Sequence, residues 1–193
     1  AGRDAAPAAQ LAGRGLVMHA ITNPVQNDLG ARAWQVVATV PDPEVPVVSV
    51  YDLGIVRQVR VDDAGIEVVL TPTYSGCPAT ETIETDILAA LAAAQLGPAR
   101  VTLQRAPAWT SDWITDAGRD KLRAYGIAPP GKATAAGDHQ LHFFDSATRL
   151  QRIACPHCAS LQTQQLSAFG STACKALYRC NSCLEPFEYF KPI

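Results

Sequence analysis

Residues 55–105, "IVRQVRVDDAGIEVVLTPTYSGCPATETIETDILAALAAAQLGPARVTLQR", decide the fold. "IVRQVRV" and "IEVVLT" are rich in β-branched residues and read as two strands. The Asp62-Asp63-Ala64-Gly65 link between them is short enough for a hairpin. Ile66, Val68 and Leu70 then share one face, because side chains alternate along a strand. After Cys77 the period changes. Ala79 to Leu96 reads as a helix with Ile83, Ile87, Leu88 and Leu91 inward, closed by Gly97 and Pro98. "RVTLQR" (100–105) reads as a third strand beside the hairpin.

Upstream, Asn27 or Asp28 can cap a helix carrying Leu29, Ala33, Val36, Val37 and Val40 at helical spacing. "VPDPEVP" (40–46) ends it, since three prolines within six residues cannot stay helical. Downstream, "APAWTSDWIT" (106–115) leads into a helix over about 115–125, closed by Gly126. Trp109 and Trp113 serve either to pack the third strand on that helix or as an aromatic patch for a partner. The expected class is α+β: a small three-stranded sheet with packed helices, plus a carboxy-terminal Cys₄ zinc-ribbon module. The expected divisions are a flexible tail at 1–26, the α+β domain at 27–126, a linker at 127–150 and the ribbon at 151–193. The linker carries a small apolar patch, Leu141 to Phe144, and is expected to let the two modules move independently.

The chain has 193 residues and a formal charge of −2, which gives no general attraction to nucleic acid or anionic membranes. No run reaches the roughly 18 consecutive apolar residues of a membrane span, and the first residues make a poor signal peptide. Cytoplasm is the expected compartment. Cysteine spacing agrees, because paired C-x-x-C turns inside a cell more often hold metal than form disulfides.

"CPHC" (155–158) and "CNSC" (180–183) are two such turns, separated by 21 residues. Each turn can aim both thiolates at one ion, so Cys155, Cys158, Cys180 and Cys183 suit a tetrahedral Zn²⁺ site, although iron fits the same four sulfurs. About forty residues are too few for a sufficient core, so metal binding is expected to drive folding of this module. His157 reads as a solvent-facing turn residue. Cys174 reads as a small buried side chain under the ribbon, or as a reactive thiol or alternative ligand. A redox role for C-P-H-C would need that motif to open a helix, whereas "ASLQTQQLSAFGS" alternates like a strand. With only Lys175, Arg179 and Lys191 nearby, the ribbon offers nucleic acid a poor footprint.

Cys77 stands apart from the other five cysteines. Pro78 favours a first helical position, so the thiol sits where unpaired N–H groups and the helix dipole welcome negative charge. It reads either as a nucleophile or soft-metal ligand, or as a cysteine buried at a strand-to-helix corner. No base is near it in sequence, since His19, His139, His142 and His157 are distant. No catalytic constellation is visible, and the chain is not expected to be an enzyme.

"PDPEVPVVSVYDLGIVRQV" (41–59) followed by "TPTYSGCPATE" (71–81) resembles the small domain of SufT-type iron–sulfur assembly factors. "APAWTSDWIT", "YGIAPP", "FGSTACKALYRC" and "EPFEYFK" are similar to the PaaD (PaaJ) family of the bacterial phenylacetate-degradation operon. That resemblance implies an accessory protein of phenylacetyl-CoA epoxidase, a multicomponent di-iron oxygenase, assisting assembly of its iron or iron–sulfur centres. It makes Cys77 the candidate ligand of a transient cluster or iron, with Asp42, Glu44, Thr71 and Thr73 about it. Structural Zn²⁺ in the ribbon is implied as cofactor, and the epoxidase components, especially the iron–sulfur flavoprotein reductase, as partners. A homodimer sharing one cluster is a further expectation. The rival reading is a structural adaptor that docks oxygenase components through the ribbon, with Cys77 inert.

Overall fold

The computed structural model describes residues 24–74, 76–131 and 153–193. Residues 1–23, Ser75 and the Leu141–Phe144 patch lie outside the described residues.

The first helix, α1, spans Pro24–Val37. It starts ahead of the expected caps, so Asn27 and Asp28 lie within it. Pro24 explains the difference: proline lacks an N–H and has a fixed φ, and both suit the first helical position. Ala33 and Val37 are fully buried on its inner face. The prolines then turn the chain into a compact loop tied by Asp42 N–H to the Val48 carbonyl and Val50 N–H to the Val40 carbonyl, both at 2.9 Å. This loop buries Val40, Val45, Val48, Val50, Leu53 and Ile55, so it is part of the core.

Strands β1 (Val56–Asp62) and β2 (Gly65–Leu70) form the hairpin, with Asp62 opposite Gly65. Gly65 has φ +117°, and a Cβ there would lie 2.2 Å from the Pro98 carbonyl oxygen. Helix α2 (Ala79–Ala93) crosses over the sheet, and β3 (Ala99–Leu103) returns parallel to β2, giving the order β1-β2-β3. Ile66, Val68 and Leu70 are buried on one face as expected. Leu88 departs from expectation and is 37% exposed. Ala79, Ile83, Ile87 and Leu91 recur every four residues and form the buried stripe; Leu88 lies one residue, about 100° of rotation, beyond it.

A 3₁₀ turn at Ser111–Trp113 precedes α3 (Asp116–Ala124), whose cap Thr115 accepts the Gly118 N–H at 2.9 Å. Buried Asp52 joins this helix to the loop before β1. It accepts from Ser49 N–H at 2.9 Å and from Lys121 Nζ at 2.6 Å. Burial pushes the Asp52 carboxyl up, but Lys121 and the Ser49 N–H outweigh it and hold the group below its usual 3.8. A lowered folded-state value stabilises the fold above pH 3.8, and that stabilisation is lost as pH falls through the folded value. Asp52→Ala is therefore expected to cost about 2 kcal/mol at neutral pH, less than a fully buried pair because Lys121 is half in water. The cost should shrink in acid; urea melts at pH 7 and pH 3 check this, and an equal cost at both would refute it.

The second sheet has the order β4-β7-β6-β5. It contains β4 (Ile127–Ala128), β5 (Thr163–Ser167), β6 (Lys175–Cys180) and β7 (Pro186–Phe190). The last three are antiparallel neighbours, while β4 runs parallel to β7. Residues expected to open a linker thus form a strand of the ribbon sheet. Beyond it, Arg119 holds the Pro130 carbonyl and reaches the Ser111 carbonyl at 2.7 Å.

The ribbon also contributes side chains to the first domain's core: Phe190 and Cys174 both belong to it. Trp109 is the bridge: its Nε1 donates to the Leu53 carbonyl at 2.9 Å, and its ring lies 6.0 Å from that of Phe190. Trp109 therefore packs, but against the ribbon's last strand instead of between β3 and α3. Half-buried Trp113 lies under the Arg57 guanidinium, 3.5 Å from its ring centroid. No helix among the described residues is long and apolar enough to cross a membrane.

Candidate metal centres

The four paired cysteines converge. Cys155 and Cys183 sulfurs are 3.7 Å apart, Cys158 and Cys180 sulfurs 3.6 Å apart, and all four lie within 4.8 Å of one another. A tetrahedral ion with Zn–S near 2.3 Å sets its sulfurs about 3.8 Å apart, so the two close pairs already match it and the set as a whole suits zinc. The backbone N–H groups of Cys183 and Ser182 point at the Cys180 sulfur, at 3.5 and 3.4 Å. They bring that thiol down to about 6, the direction a thiolate ligand needs. His157 is exposed beside Gly126 and outside the cluster, as a turn residue should be. The C-P-H-C turn opens no helix; the chain runs on into β5, so the setting of a redox C-x-x-C is missing here. Ala128, Ile153, Ala176, Phe187 and Tyr189 form the small apolar cluster about the site.

Cys77 sits at a different place. It lies one residue before Pro78, the cap of α2, and its carbonyl accepts the Thr80 N–H at 3.2 Å. Gly76 before it has φ +86°, a conformation glycine adopts freely, and a Cβ there would meet nothing within 4 Å. The thiol is half-buried and faces a cavity lined also by Asp42, Glu44, Thr73 and Cys174. Leu53, Ile55, Leu70, Ile83 and Phe190 make its apolar wall. Burial, together with the Cys77 sulfur as charge and hydrogen-bond partner, pushes the Tyr74 phenol up to about 12.

The two acids differ. Asp42 is 6% exposed, and its Oδ1 accepts the Glu44 and Val45 N–H groups at 2.9 and 2.8 Å. Burial raises its carboxyl despite these bonds and the Lys175 charge. Glu44 is likewise raised, by burial and then by the Asp42 charge, with Lys175 opposing. Lys175 is itself 2% exposed and pairs with Glu188 at 2.8 Å.

Of the residues expected around Cys77, the structure brings Asp42, Glu44 and Thr73 to the cavity. Thr71 goes elsewhere: it lines a neighbouring pocket with Arg105 and Trp109, and its buried Oγ1 has no hydrogen-bond partner among the described residues. Sequence reading left Cys174 as a small buried side chain under the ribbon, or a reactive thiol or alternative ligand, and missed that it lines the same cavity as Cys77. Only its position just ahead of β6, six residues before ligand Cys180, marked it, and that spacing carries no information about the other domain.

Two family models match the chain: an iron–sulfur cluster assembly protein family over residues 31–103 and a PaaD zinc β-ribbon domain over residues 142–191. Across 160 residues the chain is 49% identical to an Escherichia coli K12 protein described as a putative 1,2-phenylacetyl-CoA epoxidase subunit, covering 83% of this chain and 91% of that one. It is 34% identical over 80 residues to a Porphyromonas gingivalis "Fe-S protein maturation auxiliary factor", covering 40% of this chain and 75% of that one. Among solved structures, a domain of unknown function, DUF59, from Bacillus anthracis is similar with a TM-score of 0.47 and 22% identity, covering 51% of this chain and 95% of that one. An assembly-type domain, a zinc-ribbon match and identity across most of the Escherichia coli protein place the chain in one family: it belongs to the PaaD family.

Proposed function

We propose that the protein is a non-catalytic accessory of phenylacetyl-CoA epoxidase that takes up iron or an iron–sulfur cluster at Cys77 and passes it to the oxygenase's metal centres. The iron–sulfur flavoprotein reductase is the proposed recipient, and the cytoplasm the proposed compartment. The observation that carries this reading is the position of Cys77, half-buried on a cavity it shares with Asp42 and Glu44. Thiolate and carboxylate together suit iron, and a partly open site suits a cargo that must leave. Its donors are also more loosely set than the ribbon's: among the described residues, the ribbon cysteines alone form a set of three or more closed to within 4.8 Å. The zinc of the ribbon is structural in this reading, because its four sulfurs leave no open position.

Anaerobically purified wild type and Cys77→Ala, analysed for metal and acid-labile sulfide, test the proposal. Zinc is expected in equal amount in both, with iron retained by the wild type alone. Iron undiminished in the variant would overturn it. The adaptor reading has its own support in Leu161, Leu166, Phe169 and Leu184, apolar residues of the ribbon that are more than half exposed. Replacing chromosomal wild type by Cys77→Ala separates the two: the adaptor sustains growth on phenylacetate, and the carrier does not.

A further inference from the structure

The cavity that holds Cys77 is walled on one side by the ribbon, and the ribbon presents a second thiol there. Cys174 is 6% exposed and belongs to the core of the first domain, not to the apolar cluster around the zinc ligands. Its carbonyl accepts the Lys191 N–H at 2.9 Å, and the next residue, Lys175, is paired with Phe190 across β6 and β7. The ribbon sheet therefore fixes its position. The Cys174 sulfur lies 3.0 Å from the Thr172 hydroxyl, which can donate to a thiolate. Across the cavity, no hydrogen bond or ion pair among the described residues engages the Glu44 carboxylate.

We propose that Cys174 is the second protein thiolate for the cargo, so that an Fe²⁺ ion binds between Cys77 and Cys174 with Glu44 as a carboxylate donor. This rests on the carrier reading of Cys77. Three segments distant in sequence supply the donors: the loop before β1, the turn before α2, and the ribbon. Two thiolates balance the charge of a divalent cation and Glu44 adds an oxygen donor, in a cavity that also holds Asp42 and Thr73 beside its apolar wall, where a lone thiolate would leave the ion undercompensated. Two Fe–S bonds and one Fe–O bond form as waters leave hydrated Fe²⁺, and two thiol protons pass to water, with no change in oxidation state. The donors draw together on loading, through rotation of the half-exposed Cys77 and Glu44 side chains. The site is then complete only while the ribbon is folded, which makes zinc a precondition for iron.

The test uses the zinc-loaded full chain, titrated anaerobically with Fe²⁺, cleared of loose metal on a desalting column and counted for iron and zinc. Iron-edge X-ray absorption then counts sulfur neighbours. The wild type is expected to show two. Cys174→Ser is expected to keep its zinc and bind Fe²⁺ at least about tenfold more weakly, since even outer-shell partners cost roughly 10–100-fold. One sulfur in the wild type, or four, overturns the proposal, as does wild-type affinity in Cys174→Ser. If Cys77→Ala loses iron and Cys174→Ser does not, only the second thiol fails; if both bind as wild type, the carrier reading fails too. Should Cys174→Ser shed its zinc, the wild-type sulfur count decides alone.

Discussion

Removing zinc from the ribbon is expected to damage the first domain as well as the ribbon. The ribbon's own apolar cluster is small, built about Ala128, Ile153, Ala176, Phe187 and Tyr189. Structural zinc supplies roughly 10–16 kcal/mol of apparent binding energy in comparable small modules, more than such a cluster can replace. Without the ion, four sulfurs packed within 4.8 Å lose what holds them together. The strands β6 and β7 that they anchor carry Cys174 and Phe190 into the other core. Chelation under reducing conditions should therefore lower the melting temperature of the whole chain and move Trp109 toward water. A red shift in tryptophan emission, with loss of near-ultraviolet circular dichroism, reports it. Unchanged emission after complete zinc loss would show that the first domain keeps its core unaided.

Phe190→Ala is expected to destabilise the chain by about 3–5 kcal/mol. Phe190 is the largest of the fully buried side chains, at 2% exposure, and sits at the end of β7 against Trp109. Its removal opens a void beside the existing Cys77 cavity, in a region held from both sides by sheet backbone, so collapse cannot recover much of the loss. The effect should appear as a lowered denaturant midpoint with zinc still bound. Leu184→Ala, at a ribbon residue 59% exposed, is the matched control and should stay within about 0.5 kcal/mol. Equal effects at the two sites would mean that the cores are not shared.

Local pattern carried much of this architecture. The hairpin and α2 were legible because their apolar residues repeat at the periods of strand and helix, and β3 because β-branched residues follow the Gly97-Pro98 break. The zinc-type cluster was legible because paired cysteines three apart constrain geometry without help from the rest of the chain. What was not legible depends on distance along the sequence. Asp52 and Lys121 meet across 69 residues, and Trp109 meets Leu53 across 56. Nothing in the neighbourhood of either residue announces its partner. The two-residue β4 is too short to show any period, so it read as the start of a linker. Leu88 failed for a different reason: next to Ile87 in an alanine-rich helix, hydrophobicity alone does not choose between adjacent positions. Cys174 combined both difficulties, being a single residue whose meaning lies in the other domain.

The bare turn at Gly76 bears on kinetics. Apart from its chain neighbours, nothing among the described residues lies within 4 Å of where a Gly76 Cβ would be, so the backbone next to Cys77 is open to an incoming acceptor. On the carrier reading, an acceptor thiolate can bond to the cargo before Cys77 lets go, so hand-over proceeds by associative ligand exchange. Its rate then rises with acceptor concentration, and iron never passes through bulk water, where a chelator could intercept it.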